Sequence, residues 1–319
     1  MKINMALACK TAAVAVVCAV LPLASAEEQK MKENNRRIVR EACGAGRWFP
    51  AGKTELRRMV AGFIDRAEAE PGPGRIIAAI APHAGYIYSG TVAGYVFKAL
   101  KQQAEQGKEP ETVVILGLSH RGGFPGAALM DGDAFATPLG ETALDSEAAK
   151  ILSNNRPAVR LDYSPHCGEH SAENQIPFVQ VALPKAKLVV VLIGDQSGDT
   201  IGELAAGLSE LARTRKILVI ASSDMLHDPD YDLVSRTDRA TLKMVENMDI
   251  GKLQENWAYD RQIFCGLAPV TVAIRFAAAQ GCAKGTALKY ENSGDAHPES
   301  RGQWVVGYGA VVFIAPDRF

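Results

Sequence analysis

The sequence has little net charge, few cysteines and, beyond its N-terminus, no long apolar run. Its formal net charge is −1 over 319 residues, which provides no basic surface for nucleic acid or for an anionic membrane. Its six cysteines are irregularly spaced and lack the Cys-x-x-Cys pairs of a zinc ribbon. After the N-terminal segment, no stretch approaches the roughly 18–20 apolar residues of a membrane-spanning helix. These absences argue against a nucleic-acid-binding protein, a zinc ribbon and a multi-spanning membrane protein.

The N-terminus has the features of a signal peptide. Lys2 precedes a mostly apolar stretch, Met5 to Leu23, and Ala24-Ser25-Ala26 offers the small-x-small pattern that signal peptidase cleaves. The alternative is an uncleaved membrane anchor, which the interruption of the stretch at Lys10 disfavours. We therefore predict an exported protein, periplasmic or extracellular, with no membrane association after cleavage.

The chain divides into three parts on this basis. We assign residues 1–26 to the signal peptide, 27–44 to a polar lead-in, and 45–319 to one α/β domain, since no internal repeat or long linker follows. Short runs rich in valine and isoleucine alternate with segments of helical spacing, which predicts a mainly parallel or mixed sheet between helical layers. The predicted strands are Arg75–Pro82, Thr112–Leu118, Lys187–Gly194, Lys216–Ser222 and Trp304–Ile314; the predicted helices are Thr91–Glu105, Asp145–Ser153, Ile201–Arg213, Asp232–Met248 and Gly266–Gln280.

Three of these strands are followed closely by a histidine. His83 follows the first strand, His120 the second and His227 the fourth. In open α/β sheets the functional crevice lies outside the carboxyl ends of the strands. If the strands are neighbours, the three imidazoles converge on one polar site. A single loop histidine is more often a surface residue, so the prediction rests on the shared position.

Two further segments carry groups that suit such a site. His166 to Gln175 holds histidines, a cysteine and carboxylates, of which Glu169 or Glu173 suits the orientation of ligand imidazoles. Alternatively, Ser171 caps a helix, and Glu173 and Gln175 are simply solvated. Cys265 stands at the start of an apolar helix, where the helix N-terminus favours the thiolate that binds metals. The alternative for Cys265 is a buried small apolar residue.

Motifs along nearly the whole mature chain resemble the MEMO family, whose bacterial members are labelled AmmeMemoRadiSam system protein B. They are AGRWFPAGKTEL (Ala45–Leu56), APHAGYIYSG (Ala81–Gly90), LGLSH (Leu116–His120), EHSAENQIPF (Glu169–Phe178), SSDMLH (Ser222–His227), FCG (Phe264–Gly266), NSGD (Asn292–Asp295) and VVGYGAVVF (Val305–Phe313). The resemblance implies a fold similar to that of the class III extradiol dioxygenases. It also suggests a functional link to AmmeMemoRadiSam system protein A-like proteins and radical SAM proteins.

The resemblance also implies a set of site residues. The metal ligands would be His83, His120 and Cys265, with cysteine in the place of the dioxygenase glutamate. His227 would match the acid–base histidine, and Asp224 would orient it or reach the metal. Further residues are candidates to support the site or to bind substrate: Tyr86, Ser119, Glu169, His170 and Glu173. A thiolate softens the site and favours Cu(I), Zn(II) or a more covalent iron centre. We expect one mononuclear transition metal, iron or copper, with zinc less favoured.

The sequence is compatible with several functions. The first is a metal-dependent redox enzyme acting on a small-molecule or peptide substrate, with His227 moving protons. The second is a non-catalytic copper or iron carrier, and the third is a peptide-binding module that uses the same cleft. A hydrolase with Ser119 or Cys265 as nucleophile is disfavoured because no G-x-S-x-G elbow is present. The pair Asp224 and His227 favours the enzyme, because simple storage needs neither residue.

Overall fold

The computed structural model describes residues 37–70 and 72–316, and the residues from Ile38 onward form a compact unit. Its strands are β1 (Val39–Glu41), β2 (Arg75–Ala81), β3 (Thr112–Leu118), β4 (Ala127–Leu129), β5 (Ala134–Thr137), β6 (Gly140–Ala143), β7 (Val159–Leu161), β8 (Lys187–Ile193), β9 (Ile217–Ser222), β10 (His227–Asp228), β11 (Gly285–Asn292) and β12 (Val305–Ala315). Its α-helices are α1 (Lys53–Arg66), α2 (Tyr86–Gln103), α3 (Ser146–Ser153), α4 (Ile176–Ala182), α5 (Gly198–Leu211), α6 (Tyr231–Glu246), α7 (Ile250–Asn256), α8 (Leu267–Ala279) and α9 (Ser293–Ala296).

The centre of the molecule is a mixed sheet in the order β10-β12-β2-β9-β3-β8-β4-β7, with β11 also paired to β12. Strands β2, β9, β3 and β8 run parallel to one another, whereas β12 and β4 join this parallel core in antiparallel pairing. The prediction of a mainly parallel or mixed sheet is therefore confirmed. The condition for convergence is also met, because the three strands that precede His83, His120 and His227 lie side by side as β2-β9-β3.

Helices cover both faces of this sheet. Ile77, Val114 and Val219 belong to one apolar cluster, which includes side chains of α3, α5 and α8. The neighbouring residues on the same strands belong to a second cluster, which includes side chains of α1, α2 and α4. Successive strand residues point to opposite faces, so a near-continuous apolar run is what a sheet buried on both sides requires.

The predicted helices all form, with ends displaced by a few residues. The largest displacement is at α2, which begins at Tyr86 rather than Thr91, because the Tyr86 N–H donates to the carbonyl of Trp48 (2.9 Å) at the helix start. Helix α1 went unpredicted, although Leu56, Val60 and Ile64 form its buried stripe at intervals of one helical turn. The short strands β4 to β7 and strand β11 were also missed.

A second, three-stranded sheet has the order β1-β5-β6. Strand β1 lies within residues that the sequence assigns to the polar lead-in, and it pairs in parallel with β5. The signal peptide assigned to residues 1–26 lies outside the described residues and stays a prediction, as does the division into a lead-in and one domain. Among the residues that the structure describes, no helix is both long and apolar enough to cross a membrane.

Candidate metal centre

Three parallel strands deliver polar side chains to one edge of the sheet. His83 lies two residues beyond β2, His120 two residues beyond β3, and Asp224 two residues beyond β9. Strand β9 pairs with β2 on one side and with β3 on the other. The carboxyl ends of parallel strands meet at the same edge, so the three side chains gather in the crevice expected of an open α/β sheet.

Cys265 completes a group of three side chains that could hold a metal ion, which we call the ligand side chains. Its Sγ atom lies 3.4 Å from His83 Nε2, and one ligand atom each from His83, His120 and Cys265 lie within 4.8 Å of one another. The Cys265 N–H donates to the carbonyl of Asp224 (3.1 Å), which holds the cysteine against the end of β9. Two imidazoles and a thiol at this separation are a donor set that suits a transition metal ion.

Both histidines are oriented by a partner on the other ring nitrogen. His83 Nδ1 lies 3.2 Å from Ser222 Oγ, and His120 Nδ1 lies 3.0 Å from Glu169 Oε1. These contacts leave Nε2 of each ring for a metal, which is how ligand histidines are usually held. Burial and the nearby His120 lower the pKa of His83 to about 3, so its imidazole is neutral and able to coordinate.

Glu169 is the carboxylate that orients His120. Its Oε2 accepts the His120 backbone N–H (2.6 Å), while Oε1 accepts the backbone N–H groups of His170 and Ser171 (2.7 Å each). Burial raises the pKa of Glu169, but these hydrogen bonds and the bond from the His120 ring lower it far more, to well below its ordinary range. Glu169 is thus a fixed anion under the site, in the orienting role that the sequence suggested.

His170 lies between His120 and an aromatic side chain. Its ring stacks on Trp48 with centroids 4.2 Å apart and on His120 with centroids 4.7 Å apart. Burial lowers the pKa of His170 to about 4, so this ring is also neutral. It shares a second potential ligand group with His120 and Glu169, but Glu169 already accepts several hydrogen bonds there. His170 therefore lies beside the three ligand side chains as a neutral ring between Trp48 and His120.

Glu173 has a different role from Glu169. It is buried in an ion pair with Arg40 (2.6 Å), and its carboxylate accepts the backbone N–H groups of Cys43 (3.1 Å) and Gly44 (2.6 Å). It therefore fixes the chain segment that leads to Trp48, whereas the carboxylate on the His120 ring is Glu169. The alternative in which this acid is simply solvated is wrong, because its exposed fraction is 1%.

The expected thiolate at Cys265 is not favoured by the protein alone. Burial and the neighbouring Asp224 raise the pKa of the Cys265 thiol to about 12. Helix α8 begins at Leu267 with Gly266 as its N-cap, so the cysteine precedes the helix, and burial outweighs a helix-end effect of about 1 kcal/mol. A metal that binds this sulfur has to displace its proton, which makes binding dependent on pH.

His227 and Asp224 lie at the edge of the same site. Asp224 Oδ1 accepts the backbone N–H groups of His83 (2.7 Å) and Ala84 (3.2 Å), and its Oδ2 lies 3.9 Å from His83 Nε2. Burial lowers the pKa of His227, and the charge of Asp224 opposes that shift. Within the described residues, His227 Nε2 is buried and has no hydrogen-bond partner, so this nitrogen is free for a ligand or a proton.

Two cavities open beside the three ligand side chains. One has a volume of about 340 Å³ and the other about 410 Å³. They share His120, Cys265, Tyr259 and Gln262, and only the larger is lined by His227. The candidate metal site thus lies between two spaces, each large enough for a small molecule or for part of a larger one.

The two remaining predicted residues, Tyr86 and Ser119, are not in the potential ligand groups. Tyr86 is buried and donates its hydroxyl hydrogen to the Asn174 carbonyl (2.7 Å), so it supports the fold beneath the site. Ser119 lines the smaller cavity and donates to the carbonyl of Gly122 (2.7 Å). It is a candidate for substrate contact.

Sequence reasoning missed several residues that shape the site. Arg40 falls within the segment 27–44 predicted as a polar lead-in, and Trp48 lies in the AGRWFPAGKTEL motif without a predicted role. Tyr259 and Trp304 line the larger cavity with their side chains largely exposed, at 80% and 56%. Aromatic side chains left in solvent beside polar residues are a signal for a binding site, but exposure cannot be read from the sequence.

Comparisons with known proteins identify the family of the chain. The profile of Memo-like proteins matches residues 40–312. A MEMO1 family protein of Nitrosopumilus maritimus is 33% identical over 87% of this chain and 100% of its own length. Others, from Methanopyrus kandleri and Archaeoglobus fulgidus, are 35% and 34% identical over 84% of this chain and 96% and 97% of their own lengths. The chain therefore belongs to the Memo family.

Proposed function

We propose that this protein binds one iron or copper ion through His83, His120 and Cys265 and uses it in a redox reaction on a small-molecule or peptide substrate. The observation that carries the proposal is the approach of Cys265 Sγ to His83 Nε2 (3.4 Å), with His120 held beside them by Glu169. Such an ion would supply Lewis acidity and one-electron chemistry. We further propose that the reaction takes place outside the cytoplasm, as the N-terminal sequence suggests.

The chain's own residues would bind substrate and move protons. Both cavities are lined by His120 and Cys265, so a substrate in either one would lie beside two of the ligand side chains. His227 would exchange a proton with a molecule bound in the larger cavity, which it lines. Among the described residues, its Nε2 has no competing hydrogen-bond partner. Asp224 holds the backbone that carries His83 and, through its charge, supports a protonated His227.

A carrier without turnover is the alternative that shares the same ligands. The larger cavity favours the enzyme, because His227 lines it next to His120 and Cys265. A storage site needs neither a cavity of about 410 Å³ nor a proton-exchanging group. The distinction can be tested with a His227→Ala variant, which should keep its metal whichever function is correct. Only an enzyme would lose activity in that variant.

The first experiment is metal analysis by mass spectrometry on protein purified without chelators or a metal-binding tag. His83→Ala and Cys265→Ser should each lose most of the metal, while Cys167→Ser, which alters an exposed cysteine, should keep it. About one iron or copper per native chain supports the proposal. Metal absent from the native protein after anaerobic, reducing handling, or equally present in all four proteins, would refute it.

A further inference from the structure

The segment that carries His227 is fastened to strand β12. The Met225 N–H donates to the Gly307 carbonyl (2.8 Å), and the Gly307 N–H donates to the Leu226 carbonyl (3.0 Å). His227 itself pairs with Val306 in the short strand β10. The backbone on the N-terminal side of His227 is therefore fixed by its neighbours, and the Leu226 N–H is the next group that needs a partner.

Asp238 supplies that partner from helix α6. Its side chain is fully buried, and its Oδ1 accepts the Leu226 N–H at 3.1 Å. Its Oδ2 accepts the hydroxyl of Tyr290 at 3.0 Å. A carboxyl group is costly to bury, so one placed under the residue before His227 requires a specific explanation.

Gly307 has no side chain, and the space that a Cβ atom would occupy there is filled by this carboxyl group. A Cβ atom at position 307 would overlap Asp238 Oδ2 and would lie 3.2 Å from the Met225 side chain. The backbone angles of Gly307 are not of the left-handed kind that calls for glycine. Glycine is therefore required at position 307 of the VVGYGAVVF motif for steric reasons, because the Asp238 carboxyl group occupies the place of a side chain.

We propose that Asp238 is a positioning residue for His227, which acts by holding the Leu226 backbone while Gly307 leaves room for its carboxyl group. The inference extends the proposed function, in which His227 exchanges a proton with the substrate. Burial raises the pKa of Asp238 to about 7, against the effect of the bonds from Leu226 and Tyr290. A buried acid that is neutral in mildly acidic solution is there for its hydrogen bonds more than for its charge.

The two hydrogen bonds of the carboxyl group can be separated by mutation. Asp238→Ala removes both and leaves the Leu226 N–H without an acceptor. Asp238→Asn keeps an oxygen that can accept this N–H. Tyr290→Phe removes only the hydroxyl and leaves the contact with Leu226, so it controls for a general loss of stability in the same cluster.

The readout is the imidazole of His227 in NMR spectra of full-length protein with ¹⁵N-labelled histidine, with cobalt(II) binding measured alongside. We expect Asp238→Ala to shift the ring ¹⁵N signals of His227 and alter its tautomer ratio, while those of His83 and His120 stay in place. Asp238→Asn should restore the native signals, and Tyr290→Phe should leave them unchanged. Cobalt(II) affinity should change less than about twofold, because His227 is not among the proposed ligands.

Other outcomes would overturn the inference. Native His227 signals in a destabilised Asp238→Ala variant would mean that Asp238 serves stability alone. Equal shifts of the His227 ring signals in Asp238→Ala and Tyr290→Phe would also mean that Asp238 serves stability alone. If Asp238→Ala does not fold, Asp238→Ser takes its place, since a serine hydroxyl is too short to reach the Leu226 N–H. The signals of His227 can be read without a bound metal, so a failure of the metal proposal would be seen separately.

Discussion

The rings of His83 and His120 meet edge to face with their centroids 5.2 Å apart. Their strands, β2 and β3, are separated by β9, so the backbones lie roughly 10 Å apart, two strand spacings. The two side chains therefore lean toward each other over the end of β9, where Asp224 lies. The separation of the ligand atoms thus depends on the groups that tilt each ring, Ser222 for His83 and Glu169 for His120.

Replacing Glu169 by glutamine should weaken metal binding without removing a ligand. The variant loses the charge that holds the His120 ring, and its amide keeps one accepting oxygen where the carboxylate offers two oxygens to three backbone N–H groups. Loss of such an orienting carboxylate typically lowers metal affinity about 10- to 100-fold. A competition titration with a chromogenic chelator measures the change. Glu68→Gln, at an exposed position, is the control, and equal affinities in the two variants would contradict the role of Glu169.

Removing Arg40 should destabilise the fold strongly. Arg40→Met leaves Glu173 as a buried charge without its partner, which typically costs about 3–5 kcal/mol. Urea unfolding measures the loss, and the double variant with Glu173→Gln should recover part of it. Lys101→Met is the matched control, because Lys101 and Asp65 form an ion pair with exposed fractions of 36% and 62% and such pairs contribute about 0–1 kcal/mol. Equal losses in the two single variants would show that burial of the Arg40 pair is unimportant.

Much of the fold was predictable because short, near-continuous apolar runs mark strands that are buried on both faces. The four core strands and their order along the chain followed from the valine and isoleucine runs alone. The short strands β4 to β7 did not, since three or four residues give no readable period, and β11 did not because most of its residues are only half-buried. Helix α1 could have been found from the spacing of Leu56, Val60 and Ile64.

Part of the site was predictable, because residues that follow neighbouring parallel strands lie together at the carboxyl ends of those strands. Cys265 required the family resemblance, since only the fold brings it to His83. The thiol's raised pKa escaped sequence reasoning because burial is a property of packing. The same is true of Asp238, whose position in α6 suggests an exposed acid until β12 is packed against it.

Two glycines in helices should respond in opposite ways to alanine. A Cβ at Gly94 in α2 would lie 2.6 Å from the Phe63 carbonyl oxygen of α1, whereas at Gly202 in α5 the nearest atom is 4.0 Å away. Gly94→Ala should therefore force the two helices apart and cost about 1–3 kcal/mol. Gly202→Ala should raise stability by about 0.4–1 kcal/mol, because alanine restricts the unfolded chain. Thermal unfolding measures the stability of both variants relative to the native protein. A stabilised Gly94→Ala variant would show that the helix contact tolerates a methyl group.

The stability of the protein should depend on pH through Asp238. Its pKa is raised to about 7 by burial, so between about pH 4 and pH 7 the folded protein holds a proton that the unfolded chain releases. This contribution to stability is complete below about pH 4 and is lost as the pH rises through 7, by up to about 4 kcal/mol. Asp238→Asn does not titrate, so its stability relative to the native protein should improve from pH 5 to pH 8. Urea unfolding at both values tests this, and a constant difference would contradict it.

The protein's three tryptophans all lie at the candidate metal centre and should report metal binding. Trp48 stacks on His170, Trp304 meets the His227 ring edge to face at 6.3 Å, and Trp257 lines the smaller cavity with Cys265. A copper(II) ion held by the three proposed ligands would lie close to all three indoles and quench their fluorescence. Titration of metal-free protein should therefore show quenching that saturates near one equivalent.

Variants of the proposed ligands and of Trp48 test whether the quenching comes from copper bound at this site. Saturable quenching should disappear in His83→Ala and Cys265→Ser and persist in Cys167→Ser, whose altered thiol is exposed and lies outside the proposed ligand set. Trp48→Phe should remove a large share of the signal change, because Trp48 is linked to His120 through the stacked ring of His170. Quenching that rises linearly with added copper, or that is equal in the native and Cys265→Ser proteins, would contradict the prediction. It would mean that unbound copper ions quench the indoles by collision, without binding at the proposed site.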